Sequence, residues 1–126
     1  MRVDFEIPGR AAPKGSRTVG FRKDGSVYTR EQSKQVGPWM KGAKQVFSAY
    51  DMLSPPYAVQ VEFVFERPKK PKYEYPSRGD LDKFLRSLLD SMTGFVIEDD
   101  RFVLDIKATK SFGQTEITRG WVEEIV

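Results

Sequence analysis

The sequence contains neither cysteine nor histidine. Without cysteine there are no disulfides, thiolate zinc sites, iron–sulfur clusters or cysteine nucleophiles. Without histidine there is no Ser-His-Asp triad, no imidazole-ligated zinc and no histidine-based metal nuclease site. Long apolar runs are missing as well. Nothing approaches the roughly 18 residues of a membrane span, and the opening Met1-Arg2-Val3-Asp4-Phe5-Glu6 does not have the form of a signal peptide. The expectation is a cytoplasmic protein with no membrane partner. Any chemistry has to come from carboxylates, Lys, Arg, Tyr, Ser, or a metal held by oxygen.

What is present describes a folded domain. The 126 residues are 39% hydrophobic and 31% charged, as expected of a soluble globular chain forming one domain over residues 1–126. A chain of this size buries roughly two-thirds of its unfolded surface, enough for a core without metal or disulfide staples. The net charge of +3 hides a strong asymmetry. Residues 9–50 carry nine bases (Arg10, Lys14, Arg17, Arg22, Lys23, Arg30, Lys34, Lys41, Lys44) against two acids, Asp24 and Glu31. In 80–105 the sign reverses, with seven carboxylates: Asp80, Asp82, Asp90, Glu98, Asp99, Asp100 and Asp105. A basic surface beside an acidic cluster suits a protein that binds a polyphosphate and places a cation at one spot on it. An uneven but merely solvated surface is the competing reading.

Hydrophobic periodicity outlines the elements. Val3, Phe5 and Ile7 alternate with charged residues, the pattern of a half-buried strand that Pro8-Gly9 ends. Residues 18–22 and 26–29 flank Asp24-Gly25, a two-residue hairpin signal. Pro38 suits the first turn of a helix whose apolar stripe is Trp39, Ala43, Val46, Phe47 and Tyr50, and Pro55-Pro56 stops it. Val59, Val61, Phe63 and Phe65 mark a second strand. The segment 67–79, with three prolines, five bases, Tyr73 and Tyr75, is a long loop of functional character. Leu81, Phe84, Leu85, Leu88, Leu89 and Met92 form the clearest helical stripe, closed by Gly94. Phe102, Leu104, Ile106 and Ala108 mark a further strand, and 114–126 a last one, bent near Arg119-Gly120. The order implies an α+β domain with a mixed sheet and two main helices packed largely on one face.

Two acidic motifs are placed to carry chemistry: Asp80-Leu81-Asp82 opening the second helix, and Glu98-Asp99-Asp100 before the next strand. Each residue taken singly has a structural use, Asp80 as N-cap, Asp82 as a first-turn acid, Asp99 and Asp100 in a turn. Together they suggest more. A helix over 81–92 is about 18 Å long, and the six residues 94–99 reach about 20 Å if extended. The chain can therefore climb the helix, run back beside it and deliver Asp99 and Asp100 to Asp80 and Asp82. Such a cluster demands a cation, and hard oxygen donors alone select Mg²⁺ or Mn²⁺. Asp82, Arg86 and Asp90 share a helix face at i, i+4, i+8, so Arg86 serves either beside the carboxylates or in an ordinary ion pair.

The run Gly79-Asp80-Leu81-Asp82-Lys83-Phe84-Leu85-Arg86-Ser87-Leu88-Leu89-Asp90-Ser91-Met92-Thr93-Gly94, with Val96-Ile97-Glu98-Asp99-Asp100 and Lys110, resembles the RusA family of Holliday-junction resolvases. That family's pattern is roughly a D-L-D-N-x-x-K helix, a D-A-L-x-G helix end, a D-D pair and a later Lys. Ile7-Pro8-Gly9, Pro13-Lys14 and Val27-Tyr28-Thr29 extend the resemblance over nearly the whole chain. It implies a RusA-like fold and a small homodimeric, Mg²⁺-dependent endonuclease, often phage- or prophage-encoded, that cuts four-way DNA junctions. Carried over, the catalytic acids are Asp80, Asp82 and Asp100, with Asp99 adjacent among the metal ligands. Lys83 stands where the family has Asn, and Arg86 where it has the catalytic Lys. Arg keeps the charge but cannot shuttle a proton, so either Arg86 or Lys83 takes that side chain's place.

The expected function is Mg²⁺-dependent hydrolysis of branched DNA by paired symmetric cuts in recombination and repair, in the cytoplasm of a bacterial or phage-infected cell. Lys14, Arg17, Lys69, Lys70, Lys72, Arg78, Lys83 and Lys110 are the candidate DNA contacts. Tyr73 and Tyr75 either stack at an opened junction or cover nearby apolar surface. The alternatives are a non-catalytic DNA-binding module whose acids only cap a helix, and a nuclease of flaps and replication intermediates.

Overall fold

The computed structural model describes the backbone of residues 1–14, 17–31 and 34–126, with the side chains outside 17–19 and 28–31. The elements follow in the expected order: β1 (Arg2–Pro8), β2 (Arg17–Phe21), β3 (Val27–Glu31), α1 (Val36–Phe47), β4 (Tyr57–Glu66), α2 (Leu81–Met92), a 3₁₀ turn (Asp100–Phe102), β5 (Val103–Gly113) and β6 (Ile117–Glu124). Four strands make one mixed sheet in the order β1-β6-β4-β5. β6 is antiparallel to both β1 and β4, whereas β4 and β5 run parallel. β2 and β3 form a separate two-stranded ribbon about Asp24-Gly25. The α+β architecture is therefore as expected, and α1 begins two residues ahead of Pro38.

The helices share one face. Parallel strands cannot be joined by a tight turn, so α2 is the crossover between β4 and β5. Its Phe84 lies against Phe63 and Phe65 of β4, with ring centroids 5.6 and 5.3 Å apart. α1 packs against β1 and α2, with Trp39, Ala43 and Phe47 turned inward. Val3, Phe5 and Ile7 of β1 are buried on alternate positions, as period-2 patterning requires. The outer face of the sheet is polar. There Glu62 accepts from Arg119 Nε and Ser111 Oγ, each at 2.9 Å, and these donors hold its carboxyl below the usual range.

In place of the bend expected near Arg119-Gly120, β6 pairs through these residues without a shift of register, and the glycine answers to a close approach instead. At Gly120, opposite Val61, β6 comes so close to β4 that a Cβ would overlap the Gln60 carbonyl. Backbone atoms cannot swing aside as a side chain tip can. Gly120→Ala should therefore cost about 1–3 kcal/mol, read as a lower urea midpoint, and an unchanged midpoint would mean that the sheet opens freely there.

Candidate active site

Asp80 and Asp82 stand at the positive end of α2. Asp80 has the extended backbone of an N-cap (φ −86°, ψ 134°) but its side chain makes no capping bond. The carboxylate, 71% exposed, lies 3.5 Å from Lys83 Nζ. Asp82 is exposed in the first turn and has no ion pair among the described residues. The approach to this pair is rigid. Gly79 holds φ +80°, and a Cβ there would run into the Phe84 ring. Its carbonyl accepts from Lys110 Nζ at 2.8 Å. Lys110, expected as a DNA contact, thus pins the entrance of α2 to β5.

Asp99 and Asp100 lie elsewhere. The segment after α2 does not extend back along the helix. Gly94 donates to the Ile97 carbonyl, and Phe95 and Val96 donate to the Met92 carbonyl, so these residues close a turn and their reach is lost. The buried Tyr57 then holds the chain at the start of β4: its hydroxyl donates to the Leu53 carbonyl and accepts from Glu98 N–H. Asp99 caps the 3₁₀ turn, accepting from Arg101 N–H at 3.0 Å. Val103 pairs with Tyr57, and Lys110, level with Gly79, is seven residues further along β5. At ~3.3 Å per residue that is about 23 Å. The convergence expected from chain length alone does not occur within one chain, and among the described residues no three acidic side chains stand close enough to hold a metal ion.

Asp90, which the sequence places on a helix face with Asp82 and Arg86, has a partner from outside the helix. It receives Lys14 Nζ at 2.7 Å. Lys14 also donates its backbone N–H to the Lys83 carbonyl, and Ser87 Oγ donates to the Ala12 carbonyl. The segment 9–14, whose Lys14 was expected as a DNA contact, is thereby sewn along one flank of α2. The signal was available, since Asp90 and Ser87 lie on a common flank of the helix, but nothing local names Lys14 as their partner. Arg86 is exposed and forms no ion pair among the described residues, so the i, i+4 pairing with Asp82 or Asp90 is not made.

The loop 67–79 supplies a basic, aromatic surface beside Asp80. Tyr73 and Tyr75 stack at 5.3 Å, and the ammonium of Lys72 lies 5.7 Å from the Tyr73 ring. Tyr73, Tyr75, Lys72 and Arg78 line a cavity of about 420 Å³ with Arg10 and Phe112. Lys69 and Lys70 are exposed. Arg10 is already engaged, 2.9 Å from Glu116 and over the Phe65 ring. The side chain of Arg17 lies outside the described residues.

Partial burial, a hydrogen bond with Asp99 and the charges of Asp99 and Asp90 raise Asp100 above the ordinary carboxylate range. A carboxyl whose pKa is raised by folding costs stability when ionised, and the cost is relieved as pH falls through its folded pKa. Asp100→Asn in the metal-free protein should therefore raise Tm at neutral pH by up to a few degrees, with the gain vanishing in acid. A loss of Tm at neutral pH would contradict the repulsion.

Against this geometry stands one comparison that matches and one that does not. The family model for Endodeoxyribonuclease RusA matches residues 8–119, from the last residue of β1 to the first part of β6, and takes in both acidic motifs. No curated protein matches the chain. A match over nearly the whole chain, on a mixed sheet with two helices and paired aspartates at a helix entrance, leads to one conclusion: the chain belongs to the RusA family of endodeoxyribonucleases, hydrolases of DNA phosphodiester bonds that act on Holliday junctions.

Proposed function

We propose that this chain is a divalent-metal-dependent endonuclease that resolves Holliday junctions by paired, symmetric cuts during recombination and repair of cytoplasmic DNA in a bacterial or phage-infected cell. The observation that carries the reading is the pair Asp80 and Asp82, two exposed carboxylates that neither cap the helix nor enter a strong ion pair. Acids that serve only helix stability would make the capping bond that Asp80 leaves unmade.

The donor set fits Mg²⁺ or Mn²⁺. Such ions take oxygen ligands only, and Mg²⁺ is commonly held by one or two carboxylates, with waters and substrate phosphates completing its shell. Asp80 and Asp82 would hold the ion, and Asp99 and Asp100 would contribute only from another copy of the chain. Once bound there, it supplies Lewis acidity toward the scissile phosphate. Arg86 lies one turn along α2 from Asp82 and offers a permanent positive charge to a phosphate held at the helix entrance. Lys83, beside Asp80, is the alternative. Lys69, Lys70, Lys72 and Arg78 would follow the duplex arms, and Tyr73 and Tyr75 offer faces on which unpaired bases stack.

A synthetic four-way junction, a flap and a duplex, each incubated with and without Mg²⁺, test the reading. Metal-dependent cutting confined to the junction is expected. Cutting of flaps would reassign the substrate, and binding without cutting would leave a recognition module. Asp82→Asn should lower junction cleavage by several orders of magnitude while junction binding persists. If Asp82 served only the helix, the variant would lose about 0.3–1 kcal/mol of stability and cut normally.

Affinity should rest on the loop. Lys69→Ala should weaken junction binding and reduce the slope of log K against log salt by about one. Unaltered binding at every salt concentration would remove this loop from the interface.

A further inference from the structure

The ribbon of β2 and β3 pairs with no strand of the main sheet, and its tip carries an apolar face. Phe21 and Val27 stand opposite each other as the last pair before the turn, 75% and 56% exposed. The turn beyond them is braced. Gly25, at φ +88°, donates its N–H to the Arg22 carbonyl at 3.0 Å. Asp24 accepts from Ser26 N–H and Ser26 Oγ at 2.9 and 2.7 Å, and these bonds hold its carboxyl below the usual range. A single exposed apolar side chain is ordinary. A cross-strand pair on the tip of an arm is not, because the two side chains merge into one patch.

The charges around the patch identify the partner. The ribbon carries Arg17, Arg22, Lys23 and Arg30 against Asp24 and Glu31, and Asp24 is engaged in its own turn. Arg22 and Lys23 are exposed next to the apolar pair. Arg22 lies 3.5 Å from Ser26 Oγ, and alternation along a strand sets both on the face opposite Phe21 and Val27. One side of the tip is therefore apolar and the other cationic. Nucleic acid is complementary to both, with phosphates outside and apolar base faces within.

The root of the ribbon is fixed beside the acids. Ser87 Oγ holds the Ala12 carbonyl, and one turn nearer the entrance of α2 the Lys83 carbonyl holds Lys14 N–H. The chain thus descends α2 toward Asp82 and Asp80. β2 begins three residues after Lys14, within about 11 Å, and its five residues extend about 17 Å. That length equals about five base steps along one strand. A DNA molecule with a phosphate at the entrance of α2 lies within reach of the tip.

Intact duplex offers such a patch little. Its grooves present the hydrogen-bonding edges of the bases, and wedging a side chain between stacked pairs costs a few kcal/mol per step. At a branch point stacking is interrupted, and base faces are open at much lower cost. We propose that the ribbon 17–31 is a junction-reading arm, its Phe21–Val27 patch stacked on a base pair left open at the crossover of a four-way DNA junction and Arg22 and Lys23 set against the flanking phosphates. The choice of DNA rests on the nuclease reading above, and the arm names the part of that substrate it takes.

Binding without Mg²⁺ tests the arm apart from cutting. Phe21→Ala should weaken junction binding about 10-fold, the scale of one base–aromatic stack, and leave duplex binding and Tm unchanged. Phe21→Trp should restore the junction preference. A Phe21→Ala chain that prefers junctions as the wild type does overturns the arm, and so does an equal loss on duplex or a lowered Tm. A change of oligomeric state on sedimentation would assign the patch to a protein contact and overturn it as well.

The absence of native cysteine allows a direct test of position. Phe21→Cys should form a disulfide with a junction carrying a thiol-tethered base next to the crossover. The same tether ten pairs out along an arm should not trap it. No trapping at the crossover, or equal trapping at both places, overturns the arm. Trapping at the crossover by a chain that cuts nothing in Mg²⁺ would uphold the arm while the nuclease reading fails. Wild-type protein that binds no junction would remove both.

Discussion

Because β4 and β5 pair in parallel, the chain between them has to be carried from one end of the sheet back to the other, and α2 is the segment that carries it. That requirement separates the two acidic motifs. Asp80 and Asp82 open the crossover helix, and Asp99 and Asp100 follow its close. The position of α2 is set by apolar contact and not by the acids. Phe84 between Phe63 and Phe65, with Leu88 and Met92 fully buried, anchors the helix, each such side chain contributing about 1.5–3 kcal/mol on burial. Any mutual repulsion among exposed carboxylates is small beside that sum. The core can therefore hold two exposed acids at the helix entrance.

The elements were readable from the sequence because each is specified by its own side chains. The alternation of Val3, Phe5 and Ile7 and the stripe from Leu81 to Met92 appear as strand and helix where their periods say they should. Pairing partners were not readable in the same way. That β4 separates β5 from β6, although only residues 114–116 connect the last two strands, depends on which apolar faces meet across the whole sheet. The largest departure has the same origin. A chain-length argument set an upper limit on how far residues 94–99 could travel, and Asp100 would need all of it. Backbone hydrogen bonds of Gly94, Phe95 and Val96 to neighbours a few residues away consume that length instead. Buried amides need partners, and the nearest carbonyls supplied them.

Side-chain roles were legible only in part, for a related reason. Asp80 and Asp82 were singled out by residue type and spacing, and both stand exposed at the helix entrance. Lys14 and Lys110 were singled out by charge, yet each is tied to the body of the protein, one to Asp90 and the other to the Gly79 carbonyl. A lysine in a sequence carries no mark that distinguishes a solvated cation from a tether. The difference is made by acceptors more than 30 residues away, and only the fold brings them near.

An arginine at position 86, where the family pattern that the sequence resembles has a lysine, would narrow what the proposed site can do. A guanidinium remains protonated at any pH the fold survives, so it can hold or neutralise a phosphate oxygen but cannot deliver a proton to the leaving group. The chain has no histidine, and Lys83 lies 3.5 Å from Asp80. The part of Arg86 in such a site would be electrostatic and positional, and the same holds for the rest of the entrance. Its components are two carboxylates at the positive end of a helix, a fixed cation one turn away, and a glycine turn pinned by Lys110. The acids that follow the close of α2 stand apart from that entrance within one chain, because the residues after the helix spend their length on a turn.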